Sequence, residues 1–146
     1  MKTDKMNNQQ HPIPKTYPLC LHAHCPKAET CLRQLAFRRH AELPVHLRLL
    51  NPSQCTAQEC CPYYADSKPV RFAKGFAGFK DHMLPRQYEK FMYLLIGTFG
   101  RNKYFRFRRG EILLSPMEQQ IVRDVLKRVG VGECLEFDGY VDDINW

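Results

Sequence analysis

No stretch of the 146-residue chain approaches the roughly 18 consecutive apolar residues that a membrane span needs, so a membrane protein is not expected. Spaced catalytic signatures are missing as well. There is no phosphate-binding Gly loop, no H-E-x-x-H, no nucleophile elbow and no thioredoxin-type C-x-x-C, so catalysis is not expected. Residues 1–10 are polar, and nothing ahead of Tyr17-Pro18-Leu19-Cys20 forms the apolar core of a secretory or lipoprotein signal. The expected compartment is therefore the cytoplasm, where structural disulfides are rare. Acidic residues are the scarcer charge, 15 against 22 Lys and Arg, leaving a formal net charge of +7. With 44% hydrophobic and 25% charged residues, wholesale disorder is excluded, and the length suits one domain with a core of its own.

Cysteine, by contrast, is abundant and clustered. Six of the seven lie in the first 61 residues, as Cys20-x4-Cys25-x5-Cys31 and then Cys55-x4-Cys60-Cys61. An odd number of thiols in a reducing compartment favours metal ligation over disulfide pairing. A tetrahedral zinc site takes four Cys or His ligands, and the expected set is Cys20, Cys25, Cys31 and Cys61, with Cys60 and Cys55 in reserve. The C-x2-C pairs that mark zinc ribbons are absent, however, and a helix carrying both Cys25 and Cys31 would hold them roughly 9 Å apart. An iron–sulfur cluster tolerates such a separation more easily, and a protein with no metal is the third reading. His22 and His24 could replace a cysteine, but a pair of exposed loop histidines is the plainer expectation. Cys134, distant from the others, is expected to be a small buried hydrophobe.

The pattern along the chain predicts an α+β fold. Residues 1–16 read as a disordered leader and residues 17–146 as a single small domain. Within it, 17–68 form a cysteine-rich region packed on a core at 69–146. Pro26 opens a helix whose apolar face is Ala28, Cys31, Leu32, Leu35 and Ala36. Val45, Leu47 and Leu49 alternate as in a strand, and Val70–Ala73 forms a second. Pro85 begins a helix with Tyr88, Phe91, Met92, Leu95 and Phe99 on one stripe, closed by Gly100. Lys103–Arg109 alternates as a strand, with Gly110 as a tight turn and Glu111–Leu114 as the return. Ser115-Pro116-Met117-Glu118 is a capping box opening the last helix, with Met117, Ile121, Val122, Val125, Leu126 and Val129 inward and Glu118, Gln119 and Arg123 outward. The core is thus expected to be helix–β-hairpin–helix, followed by an acidic end whose Phe137, Tyr140 and Trp146 dock on it.

Charge is distributed unevenly. Residues 68–109 hold eleven Lys or Arg against Asp81 and Glu89, while 111–146 hold three against eight carboxylates. The middle and the end either neutralise each other or leave a basic patch for a phosphate-rich or acidic partner. The densest basic stretch is 101–109. Read as a strand, it places Tyr104, Arg106 and Arg108 on one face, and with Arg101 and Lys103 these are the expected contacts to a nucleic acid or an acidic protein. A charged outer face that discourages edge pairing is the competing explanation.

Three segments carry a resemblance: Cys25-Pro26-Lys27-Ala28-Glu29-Thr30-Cys31-Leu32-Arg33, then Pro69-Val70-Arg71-Phe72-Ala73-Lys74-Gly75-Phe76, then Lys103–Glu118 with the Phe137-x2-Tyr140…Trp146 ending. Together they resemble a family of small proteins from Bacteroides-type bacteria, a domain of unknown function with an N-terminal cysteine cluster. The resemblance implies a cytoplasmic bacterial protein and supplies no activity, cofactor or site. The reading reached is a non-catalytic binding module, stapled by zinc and carrying a basic strand. An iron–sulfur redox or sensor protein and a metal-free protein–protein adaptor are its alternatives.

Overall fold

Proline and glycine set the helix ends in the second half of the chain. The computed structural model describes residues 12–39, 43, 45–54, 61–132 and 134–146. These group into two compact units, one of the described residues up to Pro69 with Ile144–Trp146, the other Val70–Asp143. Both helices and a two-stranded antiparallel sheet are present, so the fold is α+β. No described helix is long and apolar enough to cross a membrane.

In the second unit, β1 (Val70–Lys74) is followed by a 3-10 turn at Ala77–His82 and by α2 (Pro85–Phe99), α3 (Arg101–Arg108), α4 (Pro116–Arg128) and β2 (Gly139–Asp143). Pro85 and Pro116 occupy first-turn positions, where a missing N–H costs nothing. The capping box at α4 is present: Ser115 Oγ accepts from the Glu118 N–H and Glu118 Oε2 accepts from the Ser115 N–H. At the start of α2, Gln87 plays the matching part, accepting the Leu84 N–H at 2.9 Å while its amide donates to Val129 O near the end of α4. β1 pairs with β2 from Val70 opposite Asp143 to Lys74 opposite Gly139, and Ala73 also exchanges two backbone bonds with Leu114.

The basic middle and acidic end do meet here. Arg71 lies opposite Asp142, its Nε 3.7 Å from the carboxylate, and stacks over the Tyr140 ring. The core of this unit is aromatic: Phe76, Phe79, Phe91, Tyr104 and Phe107 are all at most 2% exposed, joined by Leu95, Leu114, Val122 and Phe137.

The expected β-hairpin at 103–114 is not formed; α3 stands in its place. Gly100, at φ +82°, ends α2, and its carbonyl accepts the Tyr104 N–H at 3.0 Å, so a second helix starts at once. The segment carries two periods at once, 105/107 for a strand and 104/107 for a helix. Burial of Tyr104 against Phe76 and of Phe107 against Phe99 at the end of α2 selects the helical one. The core is therefore helix–helix–helix with a strand pair, and β2, which has no alternation to announce it, forms by pairing with β1.

Met117 is another correction, 74% exposed rather than inward. The first turn of α4 instead turns Glu118 and Gln119 inward, and the Gln119 amide donates to Arg71 O and Leu114 O. Burial by itself raises the Glu118 carboxyl, but bonds from Lys103 and from Ser115 outweigh it and hold it below its ordinary value of 4.5. A carboxylate lowered on folding contributes stability above its unfolded pKa and loses it as pH falls through the folded one. Stability should therefore decline below about pH 4.5, and Glu118→Gln should flatten that decline in pH-dependent urea titrations.

In the first unit, α1 runs Leu32–Arg39, not from Pro26. The Leu32 N–H donates to Ala65 O at 2.7 Å and Thr30 O accepts from Ser67, so 65–67 takes the backbone groups a helix would need. Residues 26–30 form turns, although Ala28, Cys31, Leu32 and Ala36 are buried as the apolar face predicts. The strand expected at 45–49 reduces to one parallel bridge between Leu49 and Leu19, and Val45 is 95% exposed. Tyr17 meets Trp146 edge-on at 5.8 Å, and the Arg33 guanidinium lies over the Tyr17 ring.

Candidate functional site

Two groups of residues could carry function: the thiols of the first unit and the cations of the second. Cys31 is buried at an antiparallel bridge to Asp66, while Cys20, Cys25 and Cys61 are half-buried, and all four are free thiols. Local turns hold them. The Cys25 N–H donates to His22 O, Cys25 O accepts from Ala28, and Cys61 O accepts from Tyr64. Gln34, 5% exposed on α1, donates from Nε2 to His22 O at 2.7 Å and to Cys20 Sγ at 3.6 Å. His22, expected in the open, is half-buried, and its Nε2 is enclosed with no hydrogen-bond partner among the described residues. Cys20 and His22 thus share one buried amide donor, which no sequence spacing marks.

No three His, Cys, Asp or Glu side chains among the described residues gather closely enough to hold a metal ion. The reserve ligands Cys55 and Cys60 lie outside the described residues. Cys134, read as a buried hydrophobe, is exposed, and its Sγ accepts from Arg123 Nη1 at 3.1 Å. Its neighbours explain this: Leu135 and Phe137 take the inward positions of that extended segment.

The basic stretch sits on α3, and its face differs from the strand reading. Tyr104 is fully buried, its hydroxyl 3.4 Å from that of Tyr88, so it is no stacking platform. Burial, helped by the Tyr88 hydroxyl, pushes the Tyr104 phenol well above its ordinary value and keeps it neutral. Lys103 is engaged with Glu118 at 2.8 Å and lies over the Phe99 and Phe107 rings. Arg106 stands 3.8 Å from Glu111. Arg109 donates to Glu111 at 2.5 Å, and that bond holds the Glu111 carboxyl below its ordinary value. Arg101 and Arg108 have rings rather than carboxylates beside them, those of Phe105 and Tyr88. Five cations at 101–109 thus face two carboxylates among the described residues, Glu111 and Glu118.

One feature of α2 escaped the pattern reading. Arg86, Lys90 and Tyr93 fall at i, i+4 and i+7 on the side opposite the buried Phe91–Leu95 stripe, and all three are exposed, Tyr93 to 76%. Neither cation has a carboxylate partner among the described residues. The signal was available as the complement of the apolar stripe.

Comparison with curated proteins and with solved structures finds no match to the chain. A family model does match, over residues 1–146, which include the cysteine-bearing segments, the three consecutive helices and the paired ending. The chain belongs to the family of unknown function DUF6078.

Proposed function

We propose that the protein is a non-catalytic binding module whose α2–α3 surface meets a single-stranded nucleic acid, with an acidic protein as the second partner class. The exposed Tyr93 ring, one turn beyond Lys90 on the face that also carries Arg86, neither cation having a carboxylate partner among the described residues, carries this reading. A ring free in solvent beside Arg86 and Lys90 stacks on an unpaired base while the cations meet phosphates. Arg101, Arg106 and Arg108 extend the positive surface along the chain; Lys103 contributes less because Glu118 holds it.

Binding of a fluorescent single-stranded oligonucleotide, followed by anisotropy across a salt series, tests the reading. Affinity should fall with salt, the log–log slope shrinking by about 0.7 for each phosphate contact removed in Arg86→Gln or Lys90→Gln. Tyr93→Ala should cost about 1–3 kcal/mol of binding, whereas Tyr93→Phe should cost little. Undetectable or salt-independent binding would remove nucleic acid as the partner.

For the first unit we propose a structural zinc, in support of which stand the enclosed His22 Nε2 and the Gln34 donor to Cys20, although Cys20, Cys25, Cys31 and Cys61 are not gathered into a three-ligand group. A metal-free adaptor is the second reading, favoured by the lack of any three-ligand group among the described residues. Metal content after anaerobic purification separates them. One zinc per chain in a colourless solution supports the staple, iron with sulfide and a brown colour points to a redox or sensor protein, and no metal leaves the adaptor.

A further inference from the structure

A groove of about 240 Å³ opens between the C-terminal half of α4 and the segment that follows it. Its floor is apolar: Leu126, Val131 and Leu135 are 4%, 8% and 6% exposed. Its rim is cationic, formed by Arg123 and Lys127 one turn apart on α4. Arg123 is held in place, its guanidinium over the Phe137 ring at 5.3 Å and one N–H on Cys134 Sγ. Lys127 has no carboxylate partner among the described residues. The nearby carboxylates Asp124 and Glu136 are already engaged, by the Gln120 amide and the Tyr140 hydroxyl, and Glu133 lies outside the described residues.

Carbonyls at the negative end of α4 are turned to internal donors. Leu126 O, Lys127 O and Val129 O accept from Val131, Gly130 and Gln87, so those carbonyls are satisfied. One cation held in place and a second one turn away, above an apolar floor, suit a ligand with one negative end and one apolar body. We propose that this groove binds a small amphipathic carboxylate, the carboxylate between Arg123 and Lys127 and the hydrocarbon on Leu126, Val131 and Leu135. The volume limits the ligand to a single short chain or ring. This site is independent of the α2–α3 surface and of any metal in the first unit.

Octanoate is a suitable probe, with octanol and octylammonium as controls. In a titration of the full chain followed by ¹H–¹⁵N NMR, octanoate should shift the amide signals of Gly132 and Leu135 with a Kd on the order of 1 mM. Lys127→Glu should raise that Kd at least about 10-fold and Lys127→Arg should leave it within about 3-fold, since a cation on that side is what the site needs. Lys80→Glu, the same change in charge on an exposed lysine outside the groove, should leave it unaltered. The proposal fails if octanoate gives no shifts at several times that concentration, if octanol binds as tightly, or if Lys127→Glu binds as wild type.

Discussion

Phe76→Ala should destabilise the 70–143 unit by about 3–5 kcal/mol, the range of a fully buried aromatic cut back to its Cβ. The Phe76 ring is 2% exposed and lies 5.7 Å from Phe79, 6.1 Å from Phe91, 5.8 Å from Tyr104 and 6.5 Å from Phe137, centroid to centroid. Those partners come from the 3-10 turn, α2, α3 and the segment before β2, so one truncation opens a cavity facing four parts of the unit. Edge-to-face ring pairs add about 0.5–1.5 kcal/mol each beyond burial, and several are lost together. Phe105→Ala, on a half-buried ring at the margin, should cost distinctly less. Urea unfolding followed by far-UV circular dichroism measures both. Trp146 fluorescence is the wrong probe, because that residue belongs to the other unit. A Phe76→Ala loss below about 1.5 kcal/mol would mean the rings do not converge on this position.

Gly75→Ala should be nearly as damaging, at about 2–4 kcal/mol, although it adds a single methyl group. Gly75 adopts φ +76°, a left-handed conformation that costs an L side chain about 1–2 kcal/mol. A Cβ there would stand 2.8 Å from Asp138 Oδ2. That carboxylate accepts the Ala77 N–H at 2.8 Å and the Gly78 N–H at 3.4 Å, and the Asp138 N–H donates to Gly75 O at 2.9 Å. Asp138 thus fastens the approach to β2 onto the turn that follows β1, and the new methyl would push it off. Asp138→Ala alone should cost about 1–2 kcal/mol, as for loss of a capping side chain. In that background Gly75→Ala should cost less than in the wild type, because the displaced bonds are already gone. Strict additivity in the double-mutant cycle would show that backbone strain accounts for the whole effect.

The elements legible in the sequence are those whose ends are written in local chemistry. The limits of α2 and α4 follow from Pro85, Gly100, Ser115, Pro116, Glu118 and Gly130, because each supplies or withholds a backbone bond within a few residues. β1 likewise appears where Val70 and Phe72 alternate with Arg71. Where two periods coexist, the local pattern loses its power. At 101–109 it admits a strand and a helix equally, and Tyr104 therefore changes from an outward stacking residue to the centre of the core. The helix expected from Pro26 is lost to a different cause, the claim of residues 65–67 on its backbone groups.

For the candidate sites the division is similar. The excess of cations on the middle segment is a matter of residue type and reads directly, as does the clustering of thiols before residue 62. That Lys103 is tied to Glu118, that Gln34 serves both Cys20 and His22, and that Arg123 rests on Phe137 all depend on residues distant in the chain.

The sequence by itself determined the class of the fold, two long helices with their termini, one strand, and the sign of the charge on residues 68–109. The tertiary structure alone decided that 101–108 is helical, that the acidic end becomes β2, that Met117 and Cys134 face outward, and which cations keep their charge unopposed. The reason is range. Capping and turn chemistry act over three or four residues, whereas burial and strand pairing depend on which distant side chains and backbone groups arrive at the same place.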